Sequence, residues 1–339
     1  MHNRIVSIVG LGAALLLNLA GQECRAQRRS NNPFMPYSKV GFGVGTSTYF
    51  GDLAGYSQPL KSLTTLPRWN AGLMYTRQFT PQIGMRASFT WVRLAGDDYT
   101  FAKSDPVLYS AQYVRNLHFR NDLKEFALIG TFDLIPGGRT PRNRPTLTPY
   151  LLLGVGLVAH NPKALTGRPQ AGQTDSTQLW VALQPLGTEG QGQPGYAKPY
   201  SLVTVSIPLG VGVRYKLSEY FDIAAEIRAT PTFSDYLDDV GGNYPNSADL
   251  VTPLSRAFSN RGISTENGNS IIKEPLAARS GDDRQAGLNR IIESGAQPDQ
   301  FAQRGGGGLR LTFLKDSYLL TSLQIHYIIP AKIKCPPIR

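Results

Sequence analysis

The chain has 339 residues, a formal net charge of +11, 35 glycines and only 17% charged residues. Its basic excess is spread through loop-like stretches with no Lys/Arg-rich block, which argues against a nucleic-acid partner. Past the first segment no run approaches the roughly 18 apolar residues that mark a membrane helix. A membrane barrel stays open, because its strands hide within modest hydropathy.

Taken in chain order, the N-terminal segment reads as a secretory signal. Arg4 precedes an apolar run at 5–20, and Cys24 and Ala26 place small residues at both key positions of a cut before Gln27. The expected division is a signal peptide at 1–26 and one outer-membrane β-barrel domain at 27–339. A lipid anchor at Cys24 is the weaker reading, since Gln22 and Glu23 stand where small residues should precede the cysteine. After cleavage only Cys335 remains, which excludes an intramolecular disulfide or a cysteine-based zinc site. It reads as an unpaired thiol in a short tail, with a link to a partner as the alternative.

Period-two alternation dominates the rest, and alternation sends successive side chains to opposite faces of a strand. It is clear at 83–96, where Ile83, Met85, Phe89 and Trp91 oppose Arg86, Ser88 and Thr90. Segment 124–135 sets Phe126, Leu128 and Phe132 against Glu125, Thr131 and Asp133. Segment 201–216 sets Val203, Val205, Leu209, Val211 and Val213 against Thr204, Ser206, Gly210, Gly212 and Arg214. Segments 220–233 and 317–329 repeat the pattern with Glu226, Arg228, Gln324 and His326 on the polar face. Three further segments, 40–50, 69–79 and 150–160, fit less sharply, the last being apolar on both faces.

Those eight segments are nearer the 9–11 residues of a tilted membrane strand than the 5–6 of a soluble one. Alternate connections are long, at about 51–66, 97–122, 161–200 and 234–316, and the others are 80–82, a Pro/Arg/Gly stretch at 136–149, and 217–219. The expected fold is therefore all-β: an eight-stranded antiparallel transmembrane β-barrel with short periplasmic turns, long extracellular loops and periplasmic termini in the cell outer membrane. Outer-membrane lipid is its expected surroundings. A barrel this narrow fills its lumen with side chains. The register turns Arg86, Glu125, Arg214, Glu226, Arg228, Gln324 and His326 inward, where opposite charges should pair. Glycines at 41, 43, 45, 154, 156, 210 and 212 would make room for the arginines. Trp69, Trp91, Tyr99, Tyr215 and Tyr220 are candidates for the interfacial aromatic belt.

Little in the chain points to catalysis. His118 and His160 fall at strand–loop junctions outside any HExxH or spaced metal cluster. A lumenal Glu226–His326 pair near a serine would suit a barrel hydrolase, but a structural network explains both residues without a nucleophile. No enzymatic activity and no cofactor are expected. Asp235, Asp238 and Asp239 offer oxygen ligands for calcium, yet they lack the D-x-D-x-D-G spacing, so a solvated or arginine-paired cluster is the stronger reading. Residues 41–45, GFGVG, have the wrong spacing for a nucleotide fingerprint. Residues 305–308 read as a flexible glycine run and 286–294 as a short helix.

Several blocks carry a resemblance: the opening at 43–53 ending in YFGDL, QPLGTEGQG at 184–192, IPLG at 207–210, FSDYLDDVGGNY at 233–244, SNRG at 259–262 and KDSY at 315–318. Together they resemble the PorG-like outer-membrane barrels, over most of 37–335, with DYLDDV the most specific element. The loop at 263–304 departs from the family pattern. The resemblance implies a component of the type IX secretion system, associated with a periplasmic ring of PorK and PorN, acting as a membrane anchor or assembly part. It brings no catalytic residues. Arg139, Arg142 and Arg144, with the tail at 332–339, are the candidate contact for a periplasmic partner. Solvation or pairing with lipid phosphates explains the same basic residues. A small porin or a surface-binding barrel is the alternative function.

Overall fold

The computed structural model describes residues 34–54, 59–166, 179–266, 269–272, 284–295, 304–305 and 315–330. The expected signal peptide, Cys335, the basic tail and glycines 306–308 lie outside the described residues. The strands are β1 (Tyr37–Phe50), β2 (Arg68–Gln78), β3 (Ile83–Asp97), β4 (His118–Asp133), β5 (Leu147–Ala159), β6 (Lys163–Leu165) and β7 (Trp180–Ala182). They continue with β8 (Val203–Ser206), β9 (Leu209–Lys216), β10 (Phe221–Pro231), β11 (Ile263–Glu266), β12 (Asn269–Ile272) and β13 (Ser317–Ile329).

β1 pairs antiparallel with β2 on one side and with β13 on the other, while β4 pairs with β5. The ring β1-β2-β3-β4-β5-β9-β10-β13 thus closes as an eight-stranded antiparallel barrel. Closure leaves no edge strand, so every wall residue can satisfy its backbone within the sheet. The expected strand at 201–216 is interrupted. β8 and β9 are separated by Ile207 and Pro208, because Pro208 has no N–H to give to the ladder. Its carbonyl still accepts from Gly154 N at 2.8 Å, and Ile207 N donates to Pro231 O at 3.0 Å, so the wall stays continuous through the kink. β6 and β7 lie beyond the ring and form a small flap on the part of β4 that runs past its pairing with β5.

The outward faces are apolar around the ring. Phe42, Leu73, Phe89, Leu153, Ile227 and Leu323 are all exposed, Leu323 by 70%. An apolar belt of this extent far exceeds what a soluble protein shows to water, and a bilayer removes the cost. Trp69, Trp91, Tyr215 and Tyr220 stand on that outer face. Tyr99 does not: it is buried against Tyr113, Val114, Leu288 and Ile291 in a loop cluster, which corrects its expected place in the aromatic belt.

β3 and β4 run beyond the belt, and there the alternation inverts. Inward Val92, Leu94 and Leu123 are fully buried apolar residues, whereas Arg93, Arg120 and Asp122 occupy the outer face. Outside the bilayer the lipid no longer demands an apolar exterior. The expected strand at 124–135 accordingly begins earlier, at His118.

Short connections gather at one rim and long ones at the other. At the short-turn rim Phe79 N donates to Ile83 O, Leu217 N donates to Phe221 O, and Ser218 Oγ accepts from Phe221 N. At the long-loop rim the connections fold into helices at Asp98–Ala102, Ser110–Arg115, Pro253–Ser259 and Arg284–Glu293. The last of these answers to the helix expected at 286–294.

Candidate functional site

Two assemblies set what the barrel can do: charged bridges through the lumen, and a cap over the long-loop rim. β3 and β10 occupy opposite positions in the ring. From them Arg86 Nη1 donates to Glu226 Oε2 at 2.6 Å, and Tyr150 from β5 donates its hydroxyl to the same oxygen at 2.9 Å. Arg228 Nη2 donates to Glu125 Oε2 at 2.7 Å. Arg214 grips Asp133 with two bonds of 3.1 Å each. All six charged side chains are buried, and each pair joins strands that are not neighbours, so the pairs act as spokes. A buried ion is tolerated when a partner and further hydrogen bonds compensate it.

His326 is also inside the lumen but outside the spokes, with Nε2 3.1 Å from Gln324 Oε1. In the ladder it faces Asp222, whereas Glu226 faces Ser322. The Glu226–His326 dyad that a barrel hydrolase would need is therefore not assembled. The lumenal glycines make room for different residues than expected. A Cβ at Gly212 would meet the Tyr150 ring and one at Gly41 would meet His326, so it is these rings, not arginines, that fill the space.

Above the spokes the lumen turns apolar. Val92, Leu94, Leu123 and Leu320 from the wall pack with Leu53, Leu237 and Val240 from the loops. The blocks that carried the family resemblance converge here. Tyr49 of the first block donates to Asp238 Oδ2 at 2.7 Å and lies 2.8 Å from Asp316 Oδ1 of the last. Asp316 Oδ2 accepts from Leu237 N, and Asp238 Oδ1 accepts from Val240 N. Tyr49 has one hydroxyl hydrogen, so the two carboxylates cannot both be satisfied as anions. Burial pushes both acids well above their ordinary range, and for Asp238 the Asp316 charge comes next. Sharing one hydroxyl hydrogen between two carboxylates favours a protonated acid in the pair.

The other loops tie on around Asp239, whose φ of 69° is left-handed. Its carboxylate accepts from Thr188, from Tyr200 at 2.6 Å and from Arg304 at 3.1 Å. Glu189 accepts from Gly241 N, Gly242 N and Arg304. Arg304 Nε reaches Ser259 O in the fifth block. His160, Tyr200 and Tyr236 stack in a column beside this knot, and burial holds the His160 imidazole down at about 4, uncharged at neutral pH. His118 accepts from Leu165 N through Nε2 and lies against Arg261, so both junction histidines are structural. The candidate calcium ligands diverge: Asp239 turns to Arg304, Asp238 to Tyr49, and Asp235 lies 3.9 Å from Lys315. No group of three metal-ligating side chains occurs among the described residues. Of the three acids, Asp239 is the arginine-paired one.

At the short-turn rim the three candidate arginines separate. Arg139 and Arg142 are exposed, and Arg142 pairs with Glu219 at 3.1 Å. Arg144 is buried: Nε donates to Asp222 Oδ1 at 2.9 Å, and its other nitrogens donate to the carbonyls of Pro141, Ser218 and Glu219. It staples the 134–146 connection to the 217–220 turn and has no face left for a partner. Sequence reasoning missed this latch, as it missed Arg115 and Arg304, and it read Tyr49 only as part of a resemblance block. Arg115 closes the cap by gripping Asp98 at 2.7 and 2.8 Å and reaching the carbonyls of Asp52 and Arg304.

No protein-family model and no curated protein matches the sequence. Among solved structures the chain is similar to Neisserial surface protein A, at 7% identity and a TM-score of 0.35, covering 86% of this chain and 96% of that one. It is also similar to the attachment invasion locus protein of Yersinia pestis in complex with sucrose octasulfate, at 11% identity and a TM-score of 0.33, over 87% and 100% of the two chains. A major outer membrane protein of Thermus thermophilus follows at 9% identity and a TM-score of 0.31, over 86% and 99%. Likenesses this distant assign the chain neither a ligand nor a role.

Proposed function

We propose that this chain is a non-catalytic, non-conducting barrel of an outer membrane that anchors or helps assemble a type IX-like secretion machinery. The observation that carries the non-conducting part is the lumen itself, bridged by the Arg86–Glu226, Arg228–Glu125 and Arg214–Asp133 pairs and sealed by the loop cap. A barrel filled in this way works through its rims. The secretion role is supported by the PorG-like blocks, which meet in one cap: Tyr49, Thr188, Glu189, Asp238, Asp239, Ser259 and Asp316 all belong to it. In this reading the short-turn rim and the termini face the periplasm, and Arg139 and Arg142 meet PorK/PorN-like ring subunits.

Cross-linking in cells, purification in mild detergent and mass spectrometry of the partners test this. Recovery of periplasmic ring subunits, reduced by Arg139→Glu with Arg142→Glu, is the expected result. A barrel recovered alone under verified cross-linking refutes the secretion role. That outcome would favour the second reading, an independent surface-binding barrel, which the folding of the long loops into helices and strands supports. Discrete conductance steps in a planar bilayer would refute the non-conducting part.

A further inference from the structure

Where β2, β3 and β4 leave the apolar belt, a cavity of about 330 Å³ opens among Arg68, Trp69, Arg93, Asp97, Arg120 and Trp180, with the Asp97 carboxylate engaged by Tyr99 N and Thr100 N. It lies on the outer wall. Arg93 and Arg120 alternate outward with Trp91 and Lys124, and the register sets Trp91 opposite Lys124 and Arg93 opposite Asp122. Arg93 is two residues beyond Trp91, or roughly 7 Å along a strand. The cavity thus begins where a belt of interfacial indoles gives way to headgroups.

Its walls are built to hold guanidinium groups in place. The Arg93 guanidinium lies 5.3 Å from the Trp69 ring centre, and Trp69 packs edge-on against Trp91 at 5.5 Å. The Arg120 guanidinium lies 4.1 Å over Trp180, a residue of the flap that extends β4. Asp122 compensates Arg93 through bonds of 2.6 and 3.2 Å but is 3.9 Å from Arg120. Arg120 Nε is buried and makes no hydrogen bond among the described residues. A charged donor with no hydrogen bond, held only by a 3.9 Å ion pair to an acid that Arg93 already grips, calls for a further anionic acceptor. The aromatic walls favour one that arrives with apolar chains.

We propose that this cavity binds the phosphate of a lipid headgroup in the leaflet that meets the long-loop rim, with Arg120 and Arg93 as its principal donors. The site is independent of which way the barrel faces. It is also independent of any secretion role, since neither rim contact nor cap opening enters it.

The test is lipid retention by the detergent-purified full chain in native mass spectrometry. Phosphatidic acid is compared with diacylglycerol of the same acyl chains, with inorganic phosphate as the soluble competitor. The wild-type chain should retain phosphatidic acid at least about tenfold better than diacylglycerol, the worth of one charge-assisted hydrogen bond. Arg93→Gln with Arg120→Gln should abolish the preference, whereas Lys103→Gln, an exposed lysine outside the cavity, should keep it. Equal retention of the two lipids by the wild-type chain would overturn the proposal whether or not the double variant folds. So would an undiminished preference in a folded double variant. Full displacement by millimolar inorganic phosphate would overturn the lipid assignment and leave a simple anion site.

Discussion

Glu226→Ala is the most direct perturbation of the lumen. Glu226 Oε2 is the acceptor for both Arg86 Nη1 and the Tyr150 hydroxyl, and the Arg86 side chain is only 2% exposed. Removing the carboxylate leaves a buried cation unpaired and a buried hydroxyl without its acceptor. Breaking one partner out of a buried ion pair costs about 3–5 kcal/mol. The variant should therefore lose about that much in reversible urea unfolding from lipid vesicles, followed by tryptophan fluorescence. Its heat-modifiable gel migration should collapse at lower temperature in parallel.

A second variant separates charge from packing. Arg86→Met with Glu226→Leu removes both ions and keeps apolar volume, and replacing a buried pair this way is commonly neutral or stabilising. The double variant should stay within about 1 kcal/mol of wild type, whereas Arg86→Met and Glu226→Leu alone should each cost about 3–5 kcal/mol, a coupling of at least about 5 kcal/mol between the two positions. A Glu226→Ala loss below about 1 kcal/mol, or a double variant as damaged as the two single changes summed, would refute the spoke description.

Other outcomes follow from the rims. Arg144→Gln should cost about 3–5 kcal/mol in the same unfolding assay, because it strands the buried Asp222 carboxylate and frees three carbonyls. Leu237→Ala should cost about 2–5 kcal/mol of cap stability, read as faster amide exchange in residues 234–242 with the lower barrel unchanged. The Asp238–Asp316 pair gives a pH signature. Both acids are raised in the closed cap, so the closed form holds a proton that an opened cap releases above about pH 4. Closure is strongest in acid and weakens as pH rises through the raised range, which proteolysis of the loops across pH will show. Asp238→Asn copies the protonated acid and should flatten that dependence; an unchanged pH profile would refute the shared proton.

Alternation made the wall legible because each spanning residue faces either lipid or lumen, and the two demand opposite chemistry. Ile83, Phe89 and Trp91 against Arg86, Ser88 and Thr90 show the rule at its clearest. The rule failed where the environment changed. Above the belt, Val92 and Leu94 turn inward to meet Leu237, and Arg93 turns out, so a reading keyed to apolar exteriors missed the first turns of β4. The inward charges were readable one by one, but which arginine meets which acid depends on ring closure, which joins β3 to β10 across the lumen. Arg144 and Arg304 were unreadable for a related reason. A basic residue in a loop looks solvated until a distant turn folds over it, as Ser218 and Glu219 fold over Arg144.

The two layers of the lumen also explain why conserving charge inside a membrane barrel is compatible with a firm cap. In the spoke layer, arginine and carboxylate join strands that are not neighbours, and the Arg86–Glu226 pair spans opposite walls. In the layer above, Tyr49, Leu94, Leu123 and Tyr318 form a dry floor on which Leu237 and Val240 settle, as they would in a soluble core. The acid pair under Tyr49 sits at the edge of that floor, where its proton costs least when the loops exclude water. The spokes have partners of their own below the cap, so they hold the barrel wall without it.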